Sequence, residues 1–344
     1  MRNVKFILKC ILALLPIIAV VLYTALFPYG YMDKEYAAWD YTKDISHGKL
    51  TGKSITSIEG TDGPTAVFSA GKVTTPSTLI IGDSRAMAAL VPECIDDKTV
   101  NLAVGGATSI EMYYTLNTYL KNNATPEKII IMFAPFHYTI IDNFWTRAAY
   151  FNYLSVADMA ELYDYAKAAD SETLLKKGYK NDLLSYRLRF PDKYLPALIN
   201  SKLYGRNAEN KAEYANIIMN SGYGEFGTLD GCSDHNYETN YEEMHSTGDA
   251  VLIDIYMNKL LKLCADNGIN TYFAIPPMNR SSYELLHEDY VSELYSYIEA
   301  LSVRYPSVHF DKEIPMYEDE FFGDSSHLNN RGAKLFTEEF ISSH

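Results

Sequence analysis

Short, wholly apolar runs alternate with amphipathic stretches in the second quarter of the chain, and the pattern returns near its end. Leu79-Ile80-Ile81, Thr99 to Val104 and Lys128 to Phe133 are apolar on both faces, and helical stretches separate them. That pattern predicts parallel strands buried between helices. A helix is expected to start after Ser84, at Ala86 to Leu90, and another to run from about Ser109 to Leu120. Further on, Asp249 to Asn267 has apolar positions at helical spacing, Asn270 to Ile275 reads as a strand, Tyr283 to Tyr305 as a helix and Val308 to Phe310 as an edge strand. Arg331 to Ser342 is expected to close the chain as a helix. Between these blocks, residues 138–248 lose the strand pattern. Helices are plausible there at Ala157–Ala169 and Asp182–Phe190, and Asn220 to Asn240, rich in Gly, Tyr and acids, reads as loop.

The first residues differ from all of this. Arg2, Lys5 and Lys9 precede an uncharged run over residues 10–27, long enough to cross a bilayer. The basic flank, with Asp33, Glu35 and Asp40 beyond the run, puts the N-terminus in the cytoplasm and the rest of the chain outside it. A cleaved signal peptide is the rival reading, but Tyr23-Thr24-Ala25 has a bulky residue where a cleavage site needs a small one. Three parts follow: residues 1–30 as the cytoplasmic N-terminus and anchor, 31–76 as a polar approach segment with a short strand near Ala66-Val67-Phe68, and 77–344 as an α/β domain with an insertion at about 138–248.

The 344 residues are 47% apolar, enough for a sizeable core, and carry a net charge of −14, which argues against a nucleic-acid partner. Twenty-nine tyrosines crowd the middle of the chain, read first as packing residues with polar tips and second as a sugar-binding surface. Cys10, Cys94, Cys232 and Cys264 show no zinc spacing. Cys232, Asp234, His235 and His245 lie near one another without regular ligand spacing and read as a solvated loop; no metal and no cofactor are expected.

Candidate chemistry lies where strands end. Gly82 stops the first strand and Asp83-Ser84 follow at the turn into a helix. There a serine hydroxyl projects from the sheet edge beside unpaired helix N–H groups. Far along the chain, Asp324-Ser-Ser-His327 supplies an acid and a base from one loop. Asp324 can fix one ring nitrogen of His327 and leave the other to take the proton of Ser84. Gly105-Gly106, after the second strand, lets backbone N–H groups approach a developing oxyanion. The bland readings are an ordinary turn serine and a helix-cap pair at 324 and 327.

These blocks resemble the SGNH (GDSL-like) hydrolase superfamily: Gly82-Asp83-Ser84, Asn101-Leu-Ala-Val-Gly-Gly106 and Asp324-Ser-Ser-His327-Leu-Asn, in the family's order. The resemblance implies a three-layer flavodoxin-like α/β fold, catalysis by Ser84, Asp324 and His327, and an oxyanion hole from the N–H groups of Ser84 and Gly106. It also exposes a departure. The family's Gly-x-Asn-Asp block after the third strand is replaced by Ala134-Pro-Phe-His137-Tyr, with no Asn to donate. His137 is one substitute donor, or a structural histidine. Arg85 either orients an anionic substrate or is solvated at the surface. With its anchor, the chain is similar in architecture to the DltD-like and alginate O-acetylation proteins. That implies an acyl-serine enzyme moving O-acetyl or D-alanyl groups on a surface glycan or teichoic acid, beside a membrane-bound O-acyltransferase. A plain esterase and a non-catalytic glycan- or partner-binding module are the alternatives.

Overall fold

The structure, a computed structural model, describes residues 2–26, 32–49, 76–176 and 178–344. The chain begins with helices α1 (Arg2–Leu26) and α2 (Tyr36–Ser46). The first half of the core follows: β1 (Thr78–Gly82), α3 (Ser84–Ala89), α4 (Pro92–Ile95), β2 (Thr99–Asn101), α5 (Ser109–Asn122) and β3 (Lys128–Met132). The insertion holds α6 (Val156–Ala169), α7 (Glu172–Leu175), α8 (Tyr179–Arg187), α9 (Pro191–Leu203) and α10 (Asn207–Met219). The core resumes with α11 (Gly248–Asp266), β4 (Asn270–Ala274), β5 (Met278–Asn279), α12 (Arg280–Tyr283), α13 (Glu288–Arg304), β6 (Val308–Phe310), β7 (Met316–Tyr317) and α14 (Asn330–Ser343).

Five strands form one all-parallel sheet in the order β2-β1-β3-β4-β6. The apolar runs are strands because they are covered twice: Leu79, Ile80, Ile81 and Ile129 to Met132 are all buried. On one face α14 packs against α3 and α4; on the other α5 packs against α11, and α13 joins α11 through Tyr297 Oη donating to Asp254 (3.0 Å). The result is a three-layer α/β arrangement. Its order reverses at β1, the switch point at which open α/β sheets bind ligands beyond the strand C-termini. Ser84 stands at that point.

Helix starts follow local chemistry. Thr108 and Glu111 form a capping box on α5, Ser155 and Asp158 another on α6, and Asn329 caps α14 through Gly332 N–H (2.9 Å). The expected helix over 283–305 is instead α12 and α13, separated at Glu284 to His287. The β5–β7 pair joins strands of two residues each, too short for a periodic pattern.

The approach segment also differs from expectation. Residues 36–46 are helical, bury Trp39 and Tyr41 and pack on α5 and α10; the strand expected near Ala66 to Phe68 lies outside the described residues. The tyrosine belt is mostly interior. Tyr114 and Tyr256 share a hydrogen bond (2.7 Å), Tyr150 stacks on Tyr194, and the Lys259 ammonium lies over the rings of Tyr113, Tyr165 and Tyr256. Cys94, Cys232 and Cys264 are free thiols.

The expected span over residues 10–27 finds no match in this respect: among the described residues no helix is long and apolar enough to cross a membrane. The side chains described in α1 are nonetheless exposed from Ile11 to Tyr23; Thr24 and Ala25 are covered, and α1 packs against α9.

Candidate active site

Ser84 is the first residue of α3. The preceding Asp83 is extended, and its Oδ1 accepts the N–H of Arg85 (2.9 Å), which caps the helix and fixes the turn. Gly82 is required at the strand end, since a Cβ there would collide with the Met132 carbonyl of β3. The Ser84 hydroxyl meets His327 Nε2 at 2.8 Å. His327 Nδ1 faces both Asp324 oxygens at 2.9 Å. Asp324 Oδ1 also accepts the N–H groups of Ser326 and His327, each at 2.8 Å. Burial pushes the Asp324 carboxyl up, but the His327 ring and these N–H groups outweigh it and hold it below the usual carboxylate range. A hydroxyl, an imidazole and a carboxylate stand in line, as serine nucleophile chemistry needs.

The second strand's loop is tied to the same turn. Asn101 is buried; its Nδ2 donates to the carbonyls of Ala86 (3.0 Å) and Leu90 (3.1 Å) in the nucleophile helix and just beyond it. Val104 N–H donates to the Gly82 carbonyl (3.0 Å), so Gly106 lies two residues beyond a contact that itself lies two residues before Ser84. Gly106 has φ +72°, a conformation that favours glycine, and a Cβ there would run into the side chains of Arg147 and Asn143.

His137 does not stand free to donate to a reacting group. It is buried, with Nδ1 on Asp83 Oδ2 (3.0 Å) and Nε2 on Asp142 Oδ1 (3.2 Å). Burial lowers the tendency of the ring to hold a second proton, but hydrogen bonds to Asp142 and Asp83 outweigh it and raise its pKa to about 9. At neutral pH both ring nitrogens therefore carry hydrogens, and both are used by carboxylates. The structural reading of His137 fits this arrangement and the oxyanion-donor reading does not.

Arg85 likewise turns away from any substrate. Its side chain is buried, with Nη2 donating to Glu238 Oε2 (2.6 Å) and Asn236 Oδ1 (3.2 Å). The expected contact with an anionic substrate has no exposed guanidinium to make it, and the surface-solvated reading fails for the same reason. The pair instead ties the nucleophile helix to the insertion.

Three groups near the site carry no signal in the sequence. Asn143, eleven residues beyond β3, places its amide nitrogen beside Gly106 while also donating to Asp142, the carboxylate held by His137. Arg147 turns Nη1 over Gly106 and pairs its Nε (2.6 Å) and Nη2 (3.2 Å) with Glu35, which lies just before α2. Phe226, from the insertion, stacks on the His327 ring (centroids 4.6 Å apart, 17° between planes). Its loop is held against the loop of Asp324 and His327 by the close approach of Gly227 and Gly323, where a Cβ on either would meet the other's backbone. A cavity of about 170 Å³ reaches Phe226 and Gly105 and is walled also by Met87 and by the charged Lys34, Glu35 and Glu213. Among the described residues no group of His, Cys, Asp and Glu is arranged to hold a metal ion. No protein-family model matches the chain, and no curated protein matches it by sequence.

Proposed function

We propose that this chain is a membrane-anchored, extracytoplasmic serine acyltransferase or esterase of SGNH type. The observation that carries the reading is the unbroken line from Ser84 Oγ through His327 to Asp324. His327 takes the Ser84 proton as Oγ attacks an acyl ester or thioester. The proton then passes to the leaving group, and the acyl-serine is resolved by an acceptor hydroxyl, on a surface glycan or teichoic acid, or by water. The exposed apolar surface of α1 supports attachment to a membrane, with the basic N-terminus in the cytoplasm and a membrane-bound O-acyltransferase as partner.

The oxyanion is held by the N–H groups of Ser84 and Gly106 and by the Asn143 amide. That amide has one hydrogen on Asp142 and a second to donate, so it fills the role left open by the altered block at 134–138. Asn143→Ala is expected to lower turnover of an activated acetyl ester about 10²- to 10³-fold with KM little changed, the cost of one oxyanion donor. Unchanged turnover would remove Asn143 from the site.

The test of the whole reading is fluorophosphonate labelling of the full chain in detergent, followed by intact mass. One adduct, mapped to Ser84 and absent from His327→Ala, is expected. A folded wild-type chain that takes no adduct would overturn the enzyme reading in favour of a binding module.

A further inference from the structure

Residues 176–206 carry eight Lys or Arg and two Asp, in a chain whose net charge is −14. The same stretch, which holds α8 and α9, exposes large apolar side chains: Leu184, Leu188, Phe190, Leu203 at 78% and Tyr204 at 74%. Lys176, Lys180, Lys202 and Arg206 are exposed among them. Lys180 and Leu184 are four residues apart and share one side of α8, and Leu188 follows at its C-terminal cap. Basic residues interleaved with exposed Leu, Phe and Tyr form the composition of a surface that lies in a lipid headgroup layer.

Its place in the fold points the same way. Along the described part of α1, Ile11 to Tyr23 are exposed, Thr24 and Ala25 near its C-terminal end are covered, and α1 packs against α9. If α1 enters a bilayer, α9 therefore sits where the chain leaves it, at headgroup depth. We propose that the α8–α9 stretch docks on an anionic lipid surface, with Leu184, Leu188, Leu203 and Tyr204 entering the headgroup layer and the neighbouring Lys and Arg facing lipid phosphates. This rests on the reading of α1 as a membrane anchor. Docking would fix the height and tilt of the catalytic domain, because the insertion that carries α8 and α9 also supplies Phe226 and Glu238 to the active-site region.

The test uses full-length chains reconstituted into vesicles with brominated acyl chains, which quench nearby tryptophan. Leu203→Trp reports on the surface and Leu14→Trp on the anchor; of the two native tryptophans Trp39 is buried and Trp145 is half-buried against Tyr179 and Tyr186 of α8, so wild type sets the background. In phosphatidylcholine–phosphatidylglycerol vesicles both probes are expected to be quenched beyond wild type. In phosphatidylcholine alone the Leu203→Trp quenching is expected to fall away while that of Leu14→Trp stays. Reversing Lys176, Lys180, Lys202 and Arg206 to Glu should have the same effect as removing the anionic lipid, since each basic residue near such a surface is worth roughly fivefold in binding. Quenching at Leu14→Trp without quenching at Leu203→Trp overturns the proposal and leaves the anchor standing. Equal quenching at Leu203→Trp in both vesicle types overturns the anionic preference that defines it. No quenching at either probe overturns the anchor reading and the docking together. Leu203 is exposed enough for the substitution to disturb no packing.

Discussion

Ser84→Ala is expected to abolish turnover of an activated acetyl ester, with a fall in kcat of about 10⁴- to 10⁶-fold. The hydroxyl is the nucleophile in this reading, and its activating contact among the described residues is His327 Nε2 at 2.8 Å. His327→Ala should cost about as much. The double variant should be no worse than either single one, because nucleophile and base act as a unit and their effects do not add. Asp324→Asn is part of the same expectation, at about 10⁴-fold, since an amide cannot stabilise the imidazolium or hold its tautomer. Steady-state kinetics on the purified full chain, with circular dichroism to verify folding, decides the matter. A Ser84→Ala chain that keeps wild-type turnover would make Ser84 an ordinary turn residue.

The largest expected effect on stability lies one residue along. Glu238→Gln should destabilise the fold by about 3–5 kcal/mol, the cost of leaving one member of a buried ion pair without its partner. Glu238 is fully buried and Arg85 nearly so, and their contact is 2.6 Å. Burial opposes the charge on Arg85; Glu238 outweighs it and keeps the guanidinium protonated. Arg85 Nη1 and Glu238 Oε1 have no hydrogen-bond partner among the described residues, and the lost carboxylate would leave Arg85 with the neutral acceptor Asn236 and the nearby charge of Asp83. Replacing both residues by leucine should recover most of the loss, since a buried pair exchanged for apolar side chains is often near neutral. Denaturant unfolding of the two variants against wild type measures both. A Glu238→Gln chain as stable as wild type would mean that the pair contributes nothing to the fold. Activity should fall with stability, because Arg85 follows Ser84 in the same short helix.

Much of the framework was legible along the chain because its causes are local. Strands β1 and β3 are built on runs of three or four consecutive apolar residues, and the turn at Asp83-Ser84 is written in a glycine, a capping acid and the helix after it. Asp324 and His327 are three residues apart, so one loop brings acid and base together whatever the rest of the fold does. The strand order, by contrast, needs contacts between whole layers, and short elements such as β5, β7 and α12 leave too few residues for periodicity to register.

The sequence by itself determined the parallel α/β core and the local settings of Ser84 at its turn and of Asp324 beside His327, because each depends on neighbours a few residues away. Only the tertiary structure decided what surrounds them. Residue types allowed His137 to face a reacting oxygen and Arg85 a substrate; packing put one between Asp83 and Asp142 and the other against Glu238. It also brought Asn143 and Arg147 to Gly106, Glu35 to Arg147 and Phe226 to His327, across separations from 37 to 112 residues. Such meetings are fixed by how layers and loops close on one another, and no local pattern of polar and apolar residues encodes that closure.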